Sequence, residues 1–211
     1  MKKTLIIGAS GQIGKKFTQL MLDDGNHVVA LVRDKSKLSA INNENLTIVE
    51  ADLTKDFGKA FKQCTNVVFV AGSGGNTGAD KTMLIDLWAA CRAADYAKAN
   101  AIEHFILVSS IGADAPSEGS ESMQPYLIAK HMADEHLMRS GLHYSIVRPG
   151  TLTNDAGKGK FTITRPEQKE YAIITRDDVA KALLFIVNNS PKVNKITELF
   201  NGSKSIDEVM K

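Results

Sequence analysis

Cysteine is scarce. The two present, Cys64 and Cys91, lie in helix-like segments outside any Cys-x-x-Cys or metal-ligand spacing. That excludes a disulfide scaffold and fits a reducing cytoplasm. Long apolar runs are missing too. No stretch approaches the roughly 20 apolar residues of a membrane-spanning helix. The opening "MKKTLIIGAS" offers only Leu5, Ile6 and Ile7 before small residues interrupt, too few for a secretion signal. The expected location is the cytoplasm. Charge of one sign is also lacking: 26 basic against 24 acidic residues leave a net charge of +2, with the lysines scattered singly or in pairs. Neither nucleic acid nor a membrane is therefore an expected partner, whereas a small-molecule substrate is. Oligomeric state is not indicated. With no long linker, repeat or low-complexity tract, and 43% hydrophobic residues, the 211 residues are expected to form one domain.

What is present is a regular alternation. Apolar, β-rich runs recur at residues 4–7, 27–32, 46–49, 67–70, 104–108 and 144–147. Each is nearly continuously apolar, the pattern of parallel strands covered on both faces. Helical periodicity fills the gaps. Ile13, Phe17, Leu20 and Met21 fall at i, i+4, i+7 and i+8, and "DDGN" supplies a terminating glycine. Met83, Leu84, Leu87, Trp88 and Cys91 repeat the pattern over about residues 81–99, as do Ala129, Ala133 and Leu137 further on. The alternation predicts an α/β fold, a single doubly wound Rossmann-type parallel sheet with helices on both faces and strand order 3-2-1-4-5-6. Residues 150–211 predict a small C-terminal extension on the substrate side of this one domain. It reads as two short strands, a helix opened by Thr175 with Asp178 at capping-box spacing, a strand at "ITELFNG" and a short terminal helix.

The first strand runs straight into "GASGQIGKK", where Gly8, Gly11 and Gly14 are spaced three apart. The usual dinucleotide fingerprint is G-x-G-x-x-G. Both spacings serve a tight turn, a close backbone approach to pyrophosphate and close helix–strand packing. Gly8, Ser10, Gly11, Gln12, Ile13 and Gly14 are thus the candidate phosphate-binding residues, at a helix N-terminus whose free N–H groups favour anions. An NAD site carries an acidic residue at the end of the second strand. Val32 stands there, followed by Arg33, whose guanidinium suits a 2′-phosphate. Asp34 is adjacent and could bond a 2′-hydroxyl or cap the next helix. The expected cofactor is NADP in preference to NAD.

With "GASGQIG", "EADLT", "VVFVAGSGG", "HFILVSSIGAD", "YLIAK" and "SIVRPGTLTND" in this order, nearly the whole chain resembles the atypical short-chain dehydrogenases/reductases. The resemblance is to the small NAD(P)-binding group that includes epimerase/dehydratase-like proteins, flavin reductases and redox sensors. It implies that Asp52 and Leu53 lie beside the adenine. Ala71, Gly72 and Ser73 would pass the ribose and pyrophosphate, and Pro149 would border the nicotinamide. Tyr126 and Lys130 match the family's acid–base pair, with Lys130 also on the nicotinamide ribose, and Ser110 matches the serine that orients the substrate oxygen. A lysine cation near a phenol lowers its pKa from about 10. The family's asparagine has no counterpart, and Asp80 is the nearest polar candidate. His131 and His136, five apart, indicate no metal, and the role of Arg148 stays open. The implied function is an NADP-dependent oxidoreductase or epimerase-like enzyme acting on a small carbonyl, quinone or flavin-like substrate; the alternative is a non-catalytic NADP-binding redox sensor.

Overall fold

The computed structural model describes residues 2–75, 77–189 and 193–210. The apolar runs become β1 (Lys3–Ile7), β2 (His27–Val32), β3 (Leu46–Glu50), β4 (Asn66–Phe69), β5 (His104–Val108) and β6 (Tyr144–Pro149). Between β1 and β2 lies α1 (Gln12–Asp23). Between β4 and β5 a helical run joins α2 (Ala79–Lys81), a π-helical segment (Thr82–Ala89) and α3 (Ala90–Ala99). α4 (Gln124–Arg139) connects β5 to β6. Then come β7 (Thr151–Thr153), β8 (Phe161–Thr162), β9 (Ile173–Thr175), α5 (Arg176–Asn189), β10 (Lys195–Asn201) and α6 (Ile206–Val209).

The main sheet has the order β3-β2-β1-β4-β5-β6-β10-β8. All its pairings are parallel except β10 with β8. The expected order 3-2-1-4-5-6 is therefore present, and the extension widens it. "ITELFNG" contributes β10, which runs beside β6 from Lys195 opposite Ser145 to Leu199 opposite Pro149. β7 and β9 form a separate parallel pair. β7 escapes sequence reading because it is three residues long and directly follows Pro149 and Gly150.

The continuously apolar strands have the physical cause expected of them. Leu5, Ile7, Val29, Leu31, Phe69, Phe105 and Leu107 pack on one face against α3 and α4. Ile6, Val28, Ala30, Val32, Val68, Ile106 and Val147 pack on the other with α1 and α5. Each fully buried side chain contributes about 1.5–3 kcal/mol relative to exposure. α1 buries Ile13, Phe17 and Met21. It ends in a paired reversal, Asn26 N–H to Met21 O at 2.9 Å and Gly25 N–H to Leu22 O at 3.0 Å. Gly25 sits at φ +77°, where a side chain would be strained.

Three local expectations need correction. The helix over about residues 81–99 is not uniformly α-helical, because its middle widens into the π segment, which buries Thr82, Asp86 and Ala89. The capping box of α5 is half formed. Thr175 Oγ1 accepts the N–H of Asp178 at 3.0 Å, but the Asp178 carboxylate is drawn away to the N–H groups of Lys158 and Gly159, both at 2.9 Å. Cys91 lies in α3, but Cys64 occupies the turn before β4; both are buried and free, and burial pushes each thiol up to about 11. No helix among the described residues is long and apolar enough to cross a membrane.

At the amino end of β5, His104 is 1% exposed and stacks on His143 with ring centroids 4.7 Å apart. Its Nε2 pairs with Ser145 Oγ at 3.0 Å, and its Nδ1 has no partner among the described residues. Burial, then repulsion from His143, lowers its pKa to about 4. An unfolded histidine titrates near 6.5, so between these values the unfolded chain binds the extra proton. Stability should hold above about pH 6.5 and fall by about 1–2 kcal/mol between pH 7 and 5. Urea denaturation at the two pH values checks this, since carboxylates titrate mostly lower. Equal stability at both, or an undiminished drop in His104→Gln, would refute it.

Candidate dinucleotide and active site

β1 feeds a turn whose three glycines do different jobs. Gly8 sits at φ +93°, and a Cβ there would lie 2.6 Å from Ala71 Cα, in the loop that leaves the neighbouring β4. A Cβ on Gly14 would run into the Gly8 carbonyl and come within 2.9 Å of Ala9 Cα. Gly11, extended and at the N-cap of α1, would meet only Gly8 O, at 3.3 Å. Two glycines thus allow the turn and the packing, while the third keeps the backbone open on its outer side. α1 begins without a side-chain cap and without an acidic residue in its first turn. Its positive end is uncompensated, and Ser10 and Gln12 flank it half-buried and exposed, with Ile13 buried beneath. These residues fit an anionic pyrophosphate.

At the end of β2, Val32 is buried and Arg33 exposed. The Asp34 carboxylate accepts both the N–H (2.9 Å) and the hydroxyl (2.6 Å) of Ser36, which hold its pKa low. Of the two roles open to Asp34 in the sequence, capping is the one its bonds show. Asp52 likewise accepts the N–H and hydroxyl of Thr54, at 2.9 and 2.8 Å, and these bonds, with a smaller contribution from nearby Arg33, hold it low. Leu53 packs half-buried on the core. The loop after β4 carries Ala71 under Gly8, then Gly72 and Ser73. Ser73 N–H donates to the Asp86 carboxylate at 3.0 Å. Asp86, 1% exposed in the π segment, is thus the residue that fixes this loop. Sequence reasoning missed it, although a lone carboxylate inside an otherwise apolar helical stretch was the available signal.

On α4, Lys130 is 2% exposed and its ammonium donates to Val108 O, the end of β5, at 2.7 Å. Tyr126, one turn earlier, is half-buried, and its hydroxyl has no partner among the described residues. Ser110 Oγ donates to Ile111 O at 3.0 Å, and Ile111 N–H reaches Pro149 O at 3.0 Å, tying the ends of β5 and β6. Lys130, Ser110 and Pro149 are thus joined through the ends of two adjacent strands. Asp80 is exposed and its carboxylate has no hydrogen-bond partner among the described residues, so no side-chain bond ties it to this group. Arg148 is not free: its Nε donates to Asp134 Oδ2 at 3.0 Å, its Nη2 forms an ion pair with that oxygen at 2.9 Å, and Ser109 Oγ donates to the same oxygen at 2.9 Å. Burial pushes the Asp134 pKa up, against the opposing pull of Ser109, Arg148 and Lys130. His131 is taken by Ala113 O and His136 by Asp95, each at 2.8 Å. Arg165 bridges Asp114, beyond Ser110, to Glu198 on β10.

Residues 8–190 match a family of proteins described as NAD(P)H-binding. The chain is 37% identical to the uncharacterized sugar epimerase YhfK of Bacillus subtilis (strain 168), over 99% of each chain. A Bacillus halodurans structure assigned as an NAD-dependent epimerase/dehydratase superposes with a TM-score of 0.92 at 38% identity, covering 99% of this chain and 98% of its own. The oxidoreductase ylbE of Lactococcus lactis superposes at 0.86 with 25% identity, over 99% and 94%.

The unequal glycines are separable by experiment. Gly14→Ala should cost about 1–3 kcal/mol of stability, because the new methyl meets backbone that cannot move aside. Gly11→Ala should unfold close to the wild type yet weaken dinucleotide binding about tenfold or more. Urea melts and calorimetry together decide, and the reverse ranking in the melts would be inconsistent with this packing.

Proposed function

The chain belongs to the NAD(P)H-binding family, and from that premise we propose that it is an NADP-dependent reductase acting on a small carbonyl, quinone or flavin-like acceptor. Oxidoreductase and epimerase chemistry both occur among its relatives by name, and both begin with hydride transfer at nicotinamide. The observation that carries the enzymatic reading is Lys130, a lysine 2% exposed and anchored on Val108 O, one helical turn from Tyr126. A buried ammonium is expensive to desolvate and is unexplained as a solvated surface charge.

Bound NADPH would supply the hydride. In this reading Tyr126 gives the proton to the acceptor oxygen, and the Lys130 cation on the same helical face favours the phenolate that remains. Lys130 also holds the nicotinamide ribose. Ser110 turns its hydroxyl from Ile111 O to the acceptor oxygen, Pro149 borders the nicotinamide, and the segments after it supply the substrate side. Asp52 and Leu53 flank the adenine, while the loop from Ala71 to Ser73 follows the ribose and pyrophosphate. The preference for NADP rests on Arg33, exposed beside a carboxylate already engaged with Ser36. The redox-sensor reading draws support from Asp80, which has no bond linking it to Tyr126 or Lys130 as a relay would require.

Two substitutions test these assignments. Arg33→Ala should weaken NADPH binding by about 1–3 kcal/mol and leave NADH nearly unchanged, as expected for a lost charge-assisted bond. Equal losses in parallel titrations, or a wild type that prefers NADH, would overturn the cofactor assignment. Tyr126→Phe should lower kcat for a carbonyl acceptor by roughly 10²–10⁴ with little change in cofactor affinity. Undiminished carbonyl reduction would remove Tyr126 from the chemistry.

A further inference from the structure

Two buried cations and a buried anion meet at the carboxyl ends of β5 and β6. Lys130 and Arg148 are 2% and 8% exposed, and Asp134 is fully buried. The carboxylate is loaded unevenly: Oδ2 accepts from Ser109 and from Arg148 Nε and lies 2.9 Å from Arg148 Nη2, whereas Oδ1 has no partner among the described residues. A buried carboxylate oxygen without a donor costs stability. A buried pair kept only for stability would gain from replacement by apolar side chains of similar volume. The position of Asp134 suggests another reason for it. Tyr126, Lys130 and Asp134 follow one another at i, i+4 and i+8 on α4, so they line one face of the helix. From there the Asp134 carboxylate reaches β5 through Ser109, the neighbour of Ser110, and β6 through Arg148, the neighbour of Pro149. It is also the buried counter-charge nearest in sequence to the Lys130 ammonium.

We propose that Asp134 is a positioning residue for hydride transfer, acting through Arg148, Ser109 and the charge of Lys130 to hold the ends of β5 and β6 and the lysine head in one fixed arrangement. The proposal rests on the reductase reading above. Asp134 does not touch the reacting atoms; it fixes groups that do.

Three variants test it. Asp134→Asn keeps shape and acceptor but removes the charge. Asp134→Glu restores the charge on a longer arm. Asp134→Leu with Arg148→Met replaces the whole pair with apolar side chains. The readouts are Tm, affinity for NADPH and for 2′,5′-ADP as the adenosine half alone, and kcat and KM for an acceptor that the wild type reduces. Asp134→Asn should lower kcat about tenfold or more and weaken NADPH binding several-fold, leaving 2′,5′-ADP unaffected. The Glu variant should recover part of kcat, and the double variant should recover Tm but not kcat. Wild-type kcat in the Asn or the double variant would make the pair purely structural and overturn the proposal. A wild type that reduces no acceptor refutes the reductase reading instead; Asp134 is then judged on the split between NADPH and 2′,5′-ADP, and an unchanged split overturns it too.

Discussion

A parallel sheet whose strands are apolar on both sides must be covered on both sides, and the rest of this molecule follows from how that covering is achieved. α1 and α5 close one face, α3 and α4 the other. The chain changes faces where β1 is flanked by β2 on one side and by β4 on the other. At that switch the connections leave in opposite directions and open a crevice at the carboxyl ends of the strands. Gly8 and Ala71 stand on its two walls, close enough that even a methyl on Gly8 would collide. The glycine turn is therefore a packing requirement of the sheet, and of its three glycines only Gly11 would carry a Cβ without a contact under 3.0 Å.

The second element of the site is a set of polar groups that the apolar core would normally reject. Lys130, Asp134, Arg148, Ser109 and Asp86 are all nearly or fully buried. Each is compensated by specific bonds: Lys130 on a strand-end carbonyl, Asp86 on the loop after β4, Asp134 on two strands at once. Such groups resist small displacements, because losing a partner in a dry environment costs far more than a surface contact would. The same bonds that make the interior expensive thus hold the ends of β5 and β6 in place.

The C-terminal extension is more integrated than its short elements suggest. β10 continues the main sheet beside β6, and Arg165 ties the segment after β8 both to Glu198 on β10 and to Asp114 beyond Ser110. Asp177 and Asp178, at the start of α5, hold the loop around residues 157–159 by its N–H groups, and Asp177 also takes Lys16 from α1. The loop at residues 157–159 is in this way linked through Asp177 to the helix that the glycine turn begins.

By itself the sequence determined whatever depends on local pattern. Unbroken apolar runs specified buried parallel strands, 3.6-residue periodicity specified the helices between them, and the spacing of Gly8, Gly11 and Gly14 specified a turn tight enough for a dinucleotide. Helical spacing puts Tyr126 and Lys130 on one face, but their reading as an acid–base pair came from the resemblance and not from the spacing. Tertiary structure decided what depends on partners far apart in the chain. That Asp86 holds the loop at Ser73, that Arg148 is paired with Asp134 and that Asp178 abandons the capping box for Lys158 and Gly159 are choices among competing hydrogen-bond partners. The π-helical widening at residues 82–89, within which the Asp86 carboxylate is buried, belongs with them. A polar side chain bonds whichever donor or acceptor the folded chain brings within reach, and no local pattern records which that will be.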